Sequence, residues 1–217
     1  MKKILFDNQM FTLQRFGGVT RYFADLMYNL PKGEFVAEVP MRYCENHYVT
    51  KTYGQEYEKI TFPDNYRFRR QVYMLVNKHI AWKAIRFGNY DIFHPTYFNP
   101  YFLKSVKRSG KPFVLTVHDM TFERYPQDVL IYDRTIPHKK RLIAEADHII
   151  AVSENTKRDI IELLGTDPSK ISVVHHGYRP IAEPAPQLFD RYVLYVGERK
   201  GYKNFLPWLS AIRSIFN

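Results

Sequence analysis

Six short runs rich in apolar residues, at positions 4–6, 35–41, 90–94, 113–117, 148–152 and 171–174, recur along the chain with stretches of helical spacing between most of them. Runs of this length made of branched and aromatic side chains read as strands buried on both faces. After the first run, Tyr22, Phe23, Leu26, Met27 and Leu30 return at helical intervals. Further helices are expected over 66–87, around 138–147, and over 154–164, where Ser153 can cap the start and Gly165 the end. Such alternation predicts an α/β fold, a Rossmann-like parallel sheet with helices on both faces. The strand ends at Phe6, Phe93, Val117, Val152 and Val174 then open onto one crevice, the edge at which ligands bind in open parallel sheets.

The run at 113–117 has the most chemistry at its end. Pro112 cannot donate to a ladder and marks the strand's start, which leaves His118 and Asp119 at its carboxyl end. A histidine there can exchange a proton near neutral pH, and a following carboxylate can hold its ring or its loop. The plainer reading makes His118 a hydrogen-bonded core residue and Asp119 a loop cap. Gly17 and Gly18 precede the first helix, with Arg21 in its first turn. Paired glycines at a helix start admit close backbone approach by an anion, or serve a turn that needs glycine's backbone angles. The full GxGxxG pattern is absent, which disfavours a nicotinamide cofactor.

Between these elements, 43–65, the aromatic stretch 97–102 and 121–137 read as loops. The 66–87 helix carries apolar residues on more than one stripe and is surrounded by Arg67, Arg69, Arg70, Lys78, Lys83 and Arg86, so it needs more than one neighbour. It suits either a core helix with solvated basic ends or a helix resting on an anionic membrane surface. Pro180, Pro184 and Pro186 stiffen the stretch that follows Tyr178, the expected domain boundary. The division is therefore 1–178, a linker at 179–191, and 192–217 with a strand at 192–196 and a helix from Phe205.

The net charge of +10 and sequence pI near 9.5 predict attraction to phosphates, whether on nucleic acid, anionic lipid or a small molecule. No recognisable nucleic-acid module accompanies the charge, so nucleic acid is disfavoured. Cys44, the single cysteine, permits no internal disulfide and is compatible with a reducing cytosol. The first apolar run is too short for a signal peptide, and no stretch reaches the roughly 18 apolar residues of a membrane span.

Several stretches together resemble the family-4 glycosyltransferases, two-domain GT-B enzymes that transfer sugars with retention from nucleotide-sugar donors. They are Gly17-Gly18-Val19-Thr20-Arg21-Tyr22, Thr116-Val117-His118-Asp119-Met120 with Tyr125-Pro126, Ala151 to Thr156, Lys170 to Gly177, and Leu194 to Gly197 with Lys203-Asn204. The resemblance implies that 1–178 is the acceptor-side domain and 192–217 the opening of a donor-side domain. It implies that Gly17 and Gly18 lie near donor phosphate or acceptor, and that His118 contacts the transferred sugar. Arg199 and Lys203 would then hold the donor diphosphate, where leaving-group charge develops, with no metal required.

Family members also carry a pair of glutamates that hold the donor, and this sequence ends before any such element. The expectation is weak donor binding and little transfer by this chain alone. The implied setting is cell-surface polysaccharide assembly in the cytoplasm or at the inner face of the plasma membrane, with a saccharide or lipid-linked acceptor. Two other readings stand beside it: a GT-B nucleotide-sugar epimerase, and a basic module on anionic membranes. Self-association through the apolar 205–216 helix is a further expectation.

Overall fold

The computed structural model describes residues 1–52, 68–126, 134–178, 192–197, 199 and 203–216. Its strands are β1 (Lys2–Phe6), β2 (Phe35–Glu38), β3 (Ile92–His94), β4 (Val114–Val117), β5 (His148–Ala151) and β6 (Ile171–Val173). Every described pairing is parallel: β1 lies between β2 and β3, and β5 between β4 and β6. The two halves meet where Phe93 bridges Phe113 and donates its N–H to the Pro112 carbonyl at 2.9 Å. Proline thus starts β4 without an N–H yet still supplies an acceptor to the seam. The order is β2-β1-β3-β4-β5-β6. The chain steps from β1 to one side for β2 and builds β3 to β6 on the other. The topological switch point, where crevices form in such sheets, therefore lies between β1 and β3.

Helices cover both faces because adjacent strand residues point to opposite sides. Leu5 joins a cluster with Phe93, Phe102, Leu115 and Ile149, whereas Phe6 joins Phe11, Phe23, Ala24 and Cys44. The covering helices are α1 (Gln9–Leu13), α2 (Gly18–Tyr28), α3 (Arg69–Phe87), α4 (Leu103–Ser109), α5 (Thr121–Arg124), α6 (Thr135–Glu145) and α7 (Glu154–Leu164). The Ser153 side chain caps α7 by accepting from the Thr156 N–H at 3.1 Å, and Gly165 ends it in the left-handed region at φ 63°. Gly88 ends α3 for a different reason. A Cβ there would stand 2.3 Å from the Ala84 carbonyl oxygen.

α5 falls within 121–137, where the sequence reads as a loop, and α1 and α4 fall where no helix is expected. Each is two turns or less, too short for apolar periodicity to register. α4 nonetheless has a stop signal, Gly110 at φ 65° behind Lys107 and Arg108. The long stretch after β2 contains a single turn of π-helix, Tyr48–Thr52, and 53–67 lie outside the described residues. Asn77 ties this region to α3. Its side-chain oxygen accepts from the Arg42 and Tyr43 N–H groups, and its amide donates to the Thr12 hydroxyl and the Tyr43 carbonyl, all within 2.7–3.1 Å.

Beyond β6, the linker at 179–191 lies outside the described residues. The strand expected at 192–196 is absent: these residues have no regular structure and pair with no described strand. A lone extended run has no ladder to join, so its apolar pattern alone does not make it a strand. The helix expected after it does form, as α8 (Phe205–Phe216). Tyr195, Phe205 and Trp208 pack their rings together at its start.

Candidate active site

At the carboxyl edge of the sheet, β4 presents Thr116 and then His118 toward α2, since alternate residues share a face. Tyr22, one turn into α2, meets both. Its hydroxyl lies 3.3 Å from that of Thr116, and its ring stands edge-on to His118 with centroids 5.0 Å apart. Thr116 in turn hydrogen-bonds the Nε2 of buried His94 at 2.9 Å, and His94 stacks on Phe6. His176, three residues past β6, closes the other side. Its ring lies 10° from parallel with His118 at 5.7 Å, and edge-on to Tyr22 at 5.2 Å.

Within this box the His118 Nε2 is buried and has no hydrogen-bond partner. Burial pushes its pKa down to about 4, the neighbouring His176 and Lys139 add to the fall, and Asp119 offsets part of it. Burial also lowers His94, to about 3, with His118 contributing. Both rings are therefore neutral near pH 7, so His118 can exchange hydrogen bonds with a ligand hydroxyl without carrying charge.

Asp119 bonds within its own loop as well as acting through its charge on the ring. Its exposed carboxylate accepts the Thr121 N–H at 3.0 Å, the plainer of its two expected roles. Its carbonyl accepts from Lys139 Nζ at 3.0 Å. Lys139, 2% exposed, also pairs with the buried Glu123 carboxylate at 2.9 Å and lies over the Phe98 ring. This buried lysine fixes the turn after His118 to α6, and periodicity gives no hint of it. Its sole sequence signal is a cation at a position that α6 turns inward.

Gly17 and Gly18 open α2 as expected, but neither adopts a left-handed backbone conformation. Gly17 is extended, and its carbonyl accepts the Thr20 hydroxyl and the Arg21 N–H. At Gly18 a Cβ would meet nothing within 4 Å. Backbone angles therefore do not demand glycine at either position; at Gly17 a Cβ would stand 2.0 Å from the Gln14 side-chain oxygen, and beside Gly18 there is open space. Arg21 is exposed and faces Asp25 at 3.6 Å.

Arg199 and Lys203 are not among the described members of the His118 cluster. Their segment folds on itself: the Arg199 guanidinium covers Phe205 at 5.1 Å, and the Lys203 carbonyl accepts from the Tyr195 hydroxyl at 3.4 Å.

A separate cavity of about 350 Å³ opens at the switch point, between residues following β1 (Asn8, Gln9), residues following β3 (Tyr97, Asn99) and the α3 side chains Met74 and Lys78. Gln9 stitches its floor, donating to the carboxylate of fully buried Asp7 while the Asn99 N–H donates to Gln9 at 2.9 Å. Phe98 also lines it, with Lys139 on its ring, so the cavity and the turn after His118 share a wall. Mostly apolar walls with a few fixed polar groups are usual for small-molecule sites. The sequence reading missed this cavity, because its walls come from four stretches far apart in the chain.

Comparison with known proteins gives one family. A search of curated proteins returned no match. The family model described as Glycosyltransferase Family 4 matches residues 16–180, a stretch that contains Gly17, Tyr22, His118 and His176 and stops short of Arg199 and Lys203. With the parallel sheet and the histidine at its carboxyl edge, that match over well more than half of the sequence places the chain in glycosyltransferase family 4.

Proposed function

We propose that this chain forms the acceptor-side domain of a retaining glycosyltransferase, with the His118 box at the reacting sugar and the switch-point cavity on the acceptor. Family membership supports glycosyl transfer as the class of chemistry. The observation that carries the finer reading is the unpartnered, neutral His118 Nε2 held between Tyr22 and His176 at the carboxyl edge of the sheet. A neutral imidazole among aromatic rings suits a sugar, whose hydroxyls need hydrogen bonds and whose ring faces are apolar. His118 orients a hydroxyl of the transferred sugar. Open backbone at Gly18 leaves room for donor phosphate or acceptor, and free amides in the first turn of α2 favour an anion there.

Arg199 and Lys203 supply positive charge for the donor diphosphate in this reading, and they reach it only when their segment is brought to the crevice. The donor is a nucleotide sugar and the acceptor a saccharide or a lipid-linked one, in the service of cell-surface polysaccharide assembly on the cytoplasmic side. Lys78, Arg134 and His138 stand among the cavity walls, which favours an acceptor bearing negative charge.

Histidine-ring NMR during titration with a panel of nucleotide sugars and saccharide acceptors tests this. The expected result is a selective shift of the His118 and His176 resonances, absent for His148 on β5. If no sugar compound moves His118, the reading fails.

A further inference from the structure

The turn after β4 has two sides, and the His118 ring uses only one of them. α2 covers that side through Tyr22 and Phe23, whereas Ile160 of α7 packs with Leu115 on the other face of the sheet. On the α7 side another cavity, of about 330 Å³, opens between the turn, α5 and the start of α7. Asp119, Thr121, Arg124, Asn155, Arg158 and Asp159 line it. Most of these side chains are held in place before any ligand arrives. Arg124 donates from Nε to the Asp159 carboxylate at 3.1 Å and from Nη2 to Glu162, the Asn155 amide donates to Asp159 at 3.3 Å, and Arg158 donates to the Asn155 oxygen. Thr156 ties this frame to the turn by donating its hydroxyl to the His118 carbonyl at 3.3 Å. Among the described residues, no hydrogen bond engages the second Asp119 oxygen or the Thr121 hydroxyl.

We propose that this cavity is a second sugar subsite, which takes an uncharged pyranose unit of the acceptor. The choice of a saccharide rests on the sugar-transfer reading, and the choice of an uncharged one rests on the cavity itself. Among its described lining residues two guanidinium groups face two carboxylates, and Arg124 is neutralised further by Glu162. A phosphate finds little attraction in a wall without net charge. Small-molecule pockets are mostly apolar, but this lining is polar, so its occupant must offer many hydrogen-bonding groups for its size. A pyranose does so: its hydroxyls both donate and accept, which suits a free carboxylate oxygen beside a free threonine hydroxyl. The Tyr125 ring, exposed at the rim, can cover the apolar face of such a sugar. The prebuilt frame lowers the cost of ordering these side chains on binding. The switch-point cavity, with Lys78 and Arg134 among apolar walls, selects the opposite kind of group. Buried Lys139 stands between the two cavities, bonded to the Asp119 carbonyl and lying over Phe98.

The Arg124 Nε–H and the Asn155 side-chain amide are two reporters within the frame, both visible in nitrogen-edited NMR spectra. Titration with methyl pyranosides of glucose, galactose and mannose should move both reporters saturably for at least one glycoside, while inorganic phosphate at matched ionic strength moves neither. Asp119→Asn keeps the oxygen that accepts from Thr121 and turns the other into a donor, and Thr121→Val removes the hydroxyl alone. Each should weaken glycoside binding about three- to tenfold, with circular dichroism unchanged. Three results overturn the subsite: no glycoside moves either reporter, phosphate moves them in the glycosides' place, or both variants bind as tightly as the parent chain. The His118 ring separates this proposal from the sugar-transfer reading. Sugars that move His118 and neither reporter defeat the subsite alone, whereas glycosides that move the reporters while no sugar compound moves His118 defeat the reading and leave the saccharide site.

Discussion

The His176 ring lies nearly parallel to that of His118, with centroids 5.7 Å apart and planes 10° apart, and so helps to cover the one buried ring nitrogen among the described residues that lacks a partner. His176 sits just before the stretch that leads into the linker. The chain just past β6 therefore forms one wall of the site.

His176→Ala removes both a neighbouring titratable ring and part of the cover from His118. The His118 pKa should rise from about 4 toward the ordinary histidine value of 6.5, read by NMR titration of its ring protons. An unchanged value would mean that Tyr22 and the sheet alone enclose His118. His118→Ala should abolish the shift that sugars induce at His176 while leaving the circular dichroism spectrum intact.

Stability should depend on pH through the two depressed histidines. Both are neutral when folded and titrate near 6.5 when unfolded, so between pH 6.5 and about 4 the unfolded chain binds more protons. Their stabilising effect is complete above pH 6.5 and is lost as pH falls through that window, at up to about 1.4 kcal/mol per pH unit for each histidine. Urea midpoints measured from pH 7 to 4 should follow this slope, and His94→Gln should flatten it.

Lys139 and Glu123 form an ion pair buried on both sides. Lys139→Met strands a buried carboxylate, with an expected cost of about 3–5 kcal/mol, whereas Lys139→Met with Glu123→Leu should recover most of it. Denaturant unfolding of the two single variants and the double variant measures the coupling. The single variants should also broaden the His118 resonance, because the turn behind it loses its anchor on α6.

Asn77 satisfies four groups from one position on α3. Asn77→Ala leaves the Tyr43 backbone unpaired on both its N–H and its carbonyl side, and about 2–4 kcal/mol of stability should go with it. Asn77→Leu, which fills the volume and bonds to nothing, should be no better.

Local chemistry in the sequence determined which stretches became strands and the longer helices. Short apolar runs pair because their branched side chains suit a two-sided sheet, and Ser153 and Gly165 bracket α7 through bonds made within a few residues. His118 falls at a strand's carboxyl end for the same local reason. What surrounds His118 was decided by tertiary structure. Tyr22, Thr116 and His176 meet because β1, β4 and β6 lie in one parallel sheet with α2 over it, and strand order is not written in any local period. Spacing left Asp119 open to both ring and loop, and the fold puts the Thr121 N–H on its carboxylate while its charge still reaches the His118 ring. The 192–196 run shows the converse: an apolar run is a local property, but a strand exists only where another strand lies beside it.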